Sequence, residues 1–156
     1  GKLAAAMVRG IQSEDVSACV KHFCCNNKET NRLASDSRVS ERALREIYLK
    51  AFRIVVTESG VWSVMTSYNL MNGSYTSENK DLITGILRGE WGYTGLVITD
   101  WGNWAEHYRE ALAGNNVRMP FGSLKRLQKA MELGLIRRED LVANATKLLE
   151  FLLKLN

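Results

Sequence analysis

Leu96-Val97-Ile98-Thr99-Asp100-Trp101-Gly102 is the stretch on which the reading of this chain turns. Four small aliphatic or β-branched residues in a row read as a strand buried on both faces, the pattern of a parallel sheet. That strand runs into a carboxylate, and parallel α/β folds keep their chemistry at the carboxyl ends of their strands. Trp101 beside it supplies a flat apolar wall. Taken alone, these seven residues leave two readings of Asp100: a chemically active group, or the cap of the helix that follows.

Working outward, the same rhythm repeats. Upstream, Val16-Ser17-Ala18-Cys19-Val20 reads as a strand ending at Lys21-His22, and Val61-Trp62-Ser63-Val64-Met65-Thr66 as one ending at Ser67-Tyr68-Asn69. Downstream, Val117-Arg118-Met119 is a short fourth strand stopped by Pro120. Between them the periodicity predicts helices. The first covers residues 2–13, with Leu3, Met7, Val8 and Ile11 on one face. The second covers residues 40–58, capped by Ser40 and ended by Gly60, with Leu44, Ile47, Tyr48, Ala51 and Val55 inward. Further helices are expected over 77–90 (capped by Ser77), 103–112 (closed by Gly114), 123–133 and 139–155. Residues 26–37 are polar and read as a long loop.

The order is one helix, then four rounds of strand, loop and helix. Strands alternating with helices at this spacing demand parallel pairing. The expected class is α/β, with parallel β/α units forming about half of a TIM-type (β/α)8 barrel. A closed barrel takes about 250 residues, and this chain has 156, which we read as one partial domain over 1–156. Half a barrel leaves edge strands unpaired and its apolar interior open.

Bulk properties narrow the partners. Hydrophobic residues at 46% and charged residues at 24% suit a globular core. The net charge of +4 is small and its basic residues alternate with acids, so nucleic acid is not expected as a partner, and with no uninterrupted apolar run of spanning length neither is a membrane. Three cysteines, at 19, 24 and 25, cannot all pair, and neighbours such as Cys24 and Cys25 are poor partners for each other. Reduced thiols and no signal-peptide pattern at the start lead us to expect a cytoplasmic location. The chain opens inside a predicted helix without an initiator Met, so further sequence is expected upstream.

In a parallel barrel the strand ends share one rim, so Lys21, His22, Tyr68, Asp100 and Trp101 should converge. A cation, an imidazole, a phenol, a carboxylate and an indole around one pocket suit a neutral polyhydroxylated ligand. Individually, His22 also fits a packed strand-end histidine and Tyr68 a core tyrosine. Cys24 and Cys25 beside His22 suggest a metal or thiol site, but no fourth ligand has suitable spacing, so no metal is expected. His107, Glu106 and Glu110 read as surface groups, and the Arg42–Glu46 and Glu41–Arg45 spacings as ordinary helix-face pairs.

A more specific signal lies in the ordered set Lys21-His22-Phe23, Asn26-Asn27, Glu29-Thr30-Asn31-Arg32 and Ser40-Glu41-Arg42-Ala43-Leu44-Arg45-Glu46-Ile47-Tyr48-Leu49. It continues with Val64-Met65-Thr66-Ser67-Tyr68-Asn69, Asn72-Gly73, Ser77-Glu78-Asn79, Leu87-Arg88-Gly89-Glu90-Trp91-Gly92 and Thr99-Asp100-Trp101-Gly102. This set resembles glycoside hydrolase family 3, the β-glucosidase family, over nearly the whole chain. The resemblance implies the C-terminal half of the family barrel, four β/α units, acting on a β-glucoside or short oligosaccharide. It implies Asp100 as the nucleophile of a retaining mechanism. It also implies Lys21 and His22 as donors to sugar hydroxyls, Tyr68 beside the nucleophile, Trp101 at the sugar subsite, and Met65 as an apolar wall. No cofactor is implied. The four earlier β/α units, which contribute an Asp and an Arg that grip the sugar, are not in this chain, nor is the α/β domain that carries the acid/base Glu in many members. The expected partners are therefore the missing barrel half and acid/base domain, or a second copy. A non-catalytic truncated half-barrel is the alternative.

Overall fold

In the computed structural model, which describes residues 1–155, the chain opens with α1 (Lys2–Gln12) and runs into β1 (Cys19–Phe23). β2 (Asp36–Ser37) follows a turn-rich loop. One helical rod comes next, built of α2 (Glu41–Ala43), a π-helical stretch (Leu44–Tyr48) and α3 (Lys50–Ser59). Then come β3 (Ser63–Thr66), a hairpin of β4 (Leu70–Met71) and β5 (Ser74–Tyr75), and a π helix (Asp81–Glu90). After these lie β6 (Leu96–Ile98), α4 (His107–Ala113), α5 (Leu124–Glu132) and α6 (Arg138–Lys154).

The main sheet is parallel with order β1-β3-β6. The expected fourth strand survives as a single parallel bridge, Ile98 to Val117. Strands laid down in sequence order, each after a helical crossover, make the wall of a barrel; a doubly wound sheet reverses direction partway. The chain is thus an α/β fold whose parallel β/α units form about half of a TIM-type barrel.

Two rows of side chains define the wall. Val20, Val64 and Val97 lie in register across the three strands, and Val64 and Val97 are fully buried against the helices. The alternate row is the barrel's inner face, with Cys19 exposed and Met65 and Ile98 only half-buried. Helix packing departs from the expected faces in two places. Of the face expected on α1 only Val8 is buried, together with Ala5, while Leu3, Met7 and Ile11 are exposed. The apolar stripe of α1 is wider than the surface that α3 covers. In the helical rod, Leu49 N donates to Leu44 O at 2.8 Å, a five-residue step. That extra residue turns Ile47 and Ala51 to solvent and buries Leu44, Leu49, Val55 and Val56.

Caps explain the other boundaries. Ser40 caps α2 and Gly60 closes α3 in the left-handed region, as expected, and the structure adds Ser123 as the cap of α5. Ser77 does not cap the next helix: it sits in a buried 3-10 turn (Thr76–Glu78), and Asn79 Oδ1 accepts from Leu82 N at 3.0 Å instead. α4 starts only at His107, because Asn103 Oδ1 takes the Ala105 N–H and holds the preceding residues in a turn. The long loop after β1 is not structureless. Its β2 pairs in parallel with β4, beside an Asn72-Gly73 turn with φ of 51° and 90°.

Candidate active site

Strand alternation places the central carboxylate. Leu96, Ile98 and Asp100 follow one side of β6, so Asp100 is aimed at the inner face just beyond the strand's end. The end is held from behind. Thr99 N donates to Val117 O at 2.9 Å, Thr99 Oγ1 accepts from Met119 N at 2.8 Å, and Gly102 N donates to Met119 O at 3.0 Å. Asp100 is 7% exposed. Its Oδ1 accepts from its neighbour Trp101 N at 2.8 Å, and its Oδ2 lies 3.3 Å from His22 Nε2. Capping the helix is not its role, since α4 begins seven residues later.

β1 supplies two consecutive residues to the same rim. Its register with β3 slips by one residue between Val20 and Phe23. Both Val20 and Phe23 pack toward the helices, so the bulge turns Lys21 and His22 to the inner side together. His22 is half-buried and Lys21 is exposed. From the end of β3, the buried Tyr68 donates its hydroxyl to Trp101 O at 2.6 Å. Burial, and then the charge of Asp100, raise the Tyr68 phenol above its ordinary pKa and keep it protonated. Met65 lies half-buried on the inner row of β3, and Trp101 is 55% exposed at the mouth. The structure thus brings His22, Tyr68, Asp100 and Trp101 into direct contact, with Lys21 and Met65 on the same inner face.

Two supporting groups went unread in the sequence. The Arg32 guanidinium lies 4.6 Å from the centre of the Tyr68 ring and pairs with Glu29 at 2.9 Å. It forms a wall from the loop after β1, beside an open groove of about 560 Å³ lined by residues 28–35 and Trp104. The second is Arg118, which donates to Ala105 O at 2.8 Å, Asn103 O at 3.0 Å and Glu110 Oε2 at 2.7 Å. It braces the loop that follows Asp100. Glu110 therefore does not face solvent as expected: it is 1% exposed, and burial raises its carboxyl pKa against the pull of Arg118. Glu106 is exposed. His107 is half-buried, with Nδ1 accepting from Ser123 N at 3.3 Å.

This rim, a buried carboxylate ringed by donors and an indole, sits in a chain whose residues 1–150 match the glycosyl hydrolase family 3 N-terminal domain. The chain belongs to glycosyl hydrolase family 3. Among its relatives, beta-glucosidase A of Butyrivibrio fibrisolvens is 54% identical over 141 residues, covering 90% of this chain and 17% of the relative. An exo-alpha-(1->6)-L-arabinopyranosidase of Bifidobacterium longum is 48% identical over 122 residues, covering 77% of this chain and 16% of the relative. Of solved structures, beta-glucosidase 3B from Thermotoga neapolitana in complex with alpha-D-glucose superposes with a TM-score of 0.94 at 39% identity. That superposition covers 98% of this chain and 23% of the other. The chain therefore spans about a fifth of the length of its relatives.

Proposed function

We propose that this chain supplies the C-terminal half of a family 3 barrel and, within it, the nucleophile of a retaining glycosidase. The observation that carries the reading is Asp100 itself, a nearly buried carboxylate at a strand's carboxyl end, with His22 Nε2 at 3.3 Å. Asp100 attacks the anomeric carbon of a β-glucoside or short oligosaccharide. The glycosidic bond breaks as the leaving oxygen takes a proton from an acid outside this chain. A glycosyl ester on Asp100 remains, and water hydrolyses it. Lys21 and His22 hold the sugar's hydroxyls, Trp101 and Met65 pack on its apolar face, and Tyr68 stands protonated beside the nucleophile.

The partners in this reading are the other half of the barrel and an acid/base domain. A retaining site needs two carboxyls about 5–5.5 Å apart. Glu110 is committed to Arg118 and Glu29 to Arg32, which favours an acid supplied from elsewhere. The test is a chimera in which this chain replaces the matching segment of the Butyrivibrio fibrisolvens relative. It should hydrolyse a nitrophenyl β-glucoside with net retention at the anomeric carbon. Asp100→Asn should lower kcat/KM by about 10⁴-fold, ~5.5 kcal/mol of transition-state stabilisation. Full activity in that variant would leave the non-catalytic half-barrel as the surviving reading.

A further inference from the structure

Behind the rim, where β1 ends against the hairpin, three sulfur atoms meet. Cys24 Sγ lies 3.5 Å from Cys25 Sγ, and Met71 Sδ lies 3.8 Å from the first and 3.9 Å from the second. We propose that Cys24, Cys25 and Met71 form a trigonal binding site for a soft monovalent metal ion, Cu(I). The point equidistant from the three sulfurs is about 2.2 Å from each, close to the ~2.3 Å of a metal–thiolate bond. Two thiols and a thioether are the ligand set that selects Cu(I) over harder cations.

The arrangement is built rather than incidental to a strand. Consecutive residues of an extended chain point to opposite sides. Cys25 instead takes a φ of 66°, in the left-handed region, and this brings both thiols to one place. Their backbone is held on two sides: Ser67 Oγ donates to Cys24 O at 2.7 Å, and Ser37 Oγ to Cys25 O at 2.8 Å. Met71 comes from β4, across the hairpin, and all three residues are buried at 6% exposure or less. A bound ion would tie the hairpin to the end of β1, two residues from His22. Copper enters as Cu(I) and stays so; each coordinating thiol gives its proton to solvent, and the thioether binds neutral.

The test is to titrate the chain with Cu(I) under argon against a coloured Cu(I) chelator, with X-ray absorption on the loaded protein. One Cu(I) per chain is expected, with three sulfurs at about 2.2–2.3 Å. Cys25→Ala should weaken binding by at least about 100-fold, and Met71→Leu, which conserves volume, by about 10-fold or more. Cys19→Ser should leave it unchanged. Three outcomes would each overturn the proposal: no stoichiometric uptake by the unmodified chain, a two-sulfur absorption spectrum, or loss of binding in Cys19→Ser.

Discussion

Asp100 and Tyr68 share a wall but do opposite things with charge. The carboxylate accepts from Trp101 N and faces His22 Nε2, while the phenol spends its single proton on Trp101 O. Tyr68→Phe removes that bond from a buried site and should cost about 0.5–1.5 kcal/mol of stability, read as a lower denaturant midpoint at unchanged slope. The raised pKa of Tyr68 makes a second prediction. Ultraviolet titration of the unmodified chain against Tyr68→Phe should place this phenol's ionisation above that of an ordinary tyrosine. In Asp100→Asn the second cause of the shift is gone, so the ionisation should move back down. An ionisation in Asp100→Asn unchanged from that of the unmodified chain would mean the two groups do not face each other.

At the scale of elements, the loop after Asp100 depends on an ion pair that sequence periodicity could not show. Arg118, in the segment after the Val117 bridge, and Glu110, on α4, are eight residues apart and both shielded, at 14% and 2% side-chain exposure. Arg118→Leu would leave Glu110 buried without its partner, a loss of about 3–5 kcal/mol. The sign with pH is fixed. Arg118 pulls the Glu110 pKa down and burial pushes it up, so without Arg118 it rises further. A raised folded-state pKa gives stability at low pH that is lost as pH rises through it. The defect should therefore shrink as the pH falls, read from denaturant midpoints across a pH series. A loss independent of pH would contradict the pairing.

Other elements divide by the kind of signal they carry. Gly60, Ser40 and the apolar run at residues 96–98 mark their elements directly, because the chain's own turn chemistry and burial fix them there. Asn72-Gly73 announced a turn, but its partner strand β2 is only two residues long and depends on a distant pairing. Leu44 to Leu49 misled a 3.6-residue reading because the helix widens to a five-residue step. The placement of Lys21, His22, Tyr68, Asp100 and Trp101 at strand ends was legible from the apolar runs that precede them. Arg32 and Arg118 were not, since each acts across a contact that only the folded chain creates.

At the scale of the whole molecule, the strand wall is packed against its helices, but the helices themselves still carry exposed apolar residues. Leu3, Met7 and Ile11 on α1, at one edge, and Leu149 and Leu153 on α6, at the other, are exposed. Surfaces of this kind are normally covered, and the chain spans only about a fifth of its relatives. The purified chain should therefore self-associate in solution, seen as a mass above that of the monomer. On the proposed reading an acid worth about 10²–10⁴ in rate and half the sugar pocket lie outside this chain, so it should hydrolyse a nitrophenyl β-glucoside no faster than its Asp100→Ala variant. A monomer whose turnover depends on Asp100 would refute that expectation. In the proposed reaction Asp100 bonds to the sugar, and one measurement reads that bond. A 2-deoxy-2-fluoro β-glucoside with a good leaving group forms the glycosyl ester faster than water can hydrolyse it. Applied to the chimera and followed by peptide mass mapping, it should leave its adduct on the peptide that contains Asp100. An adduct on any other carboxylate would contradict the account.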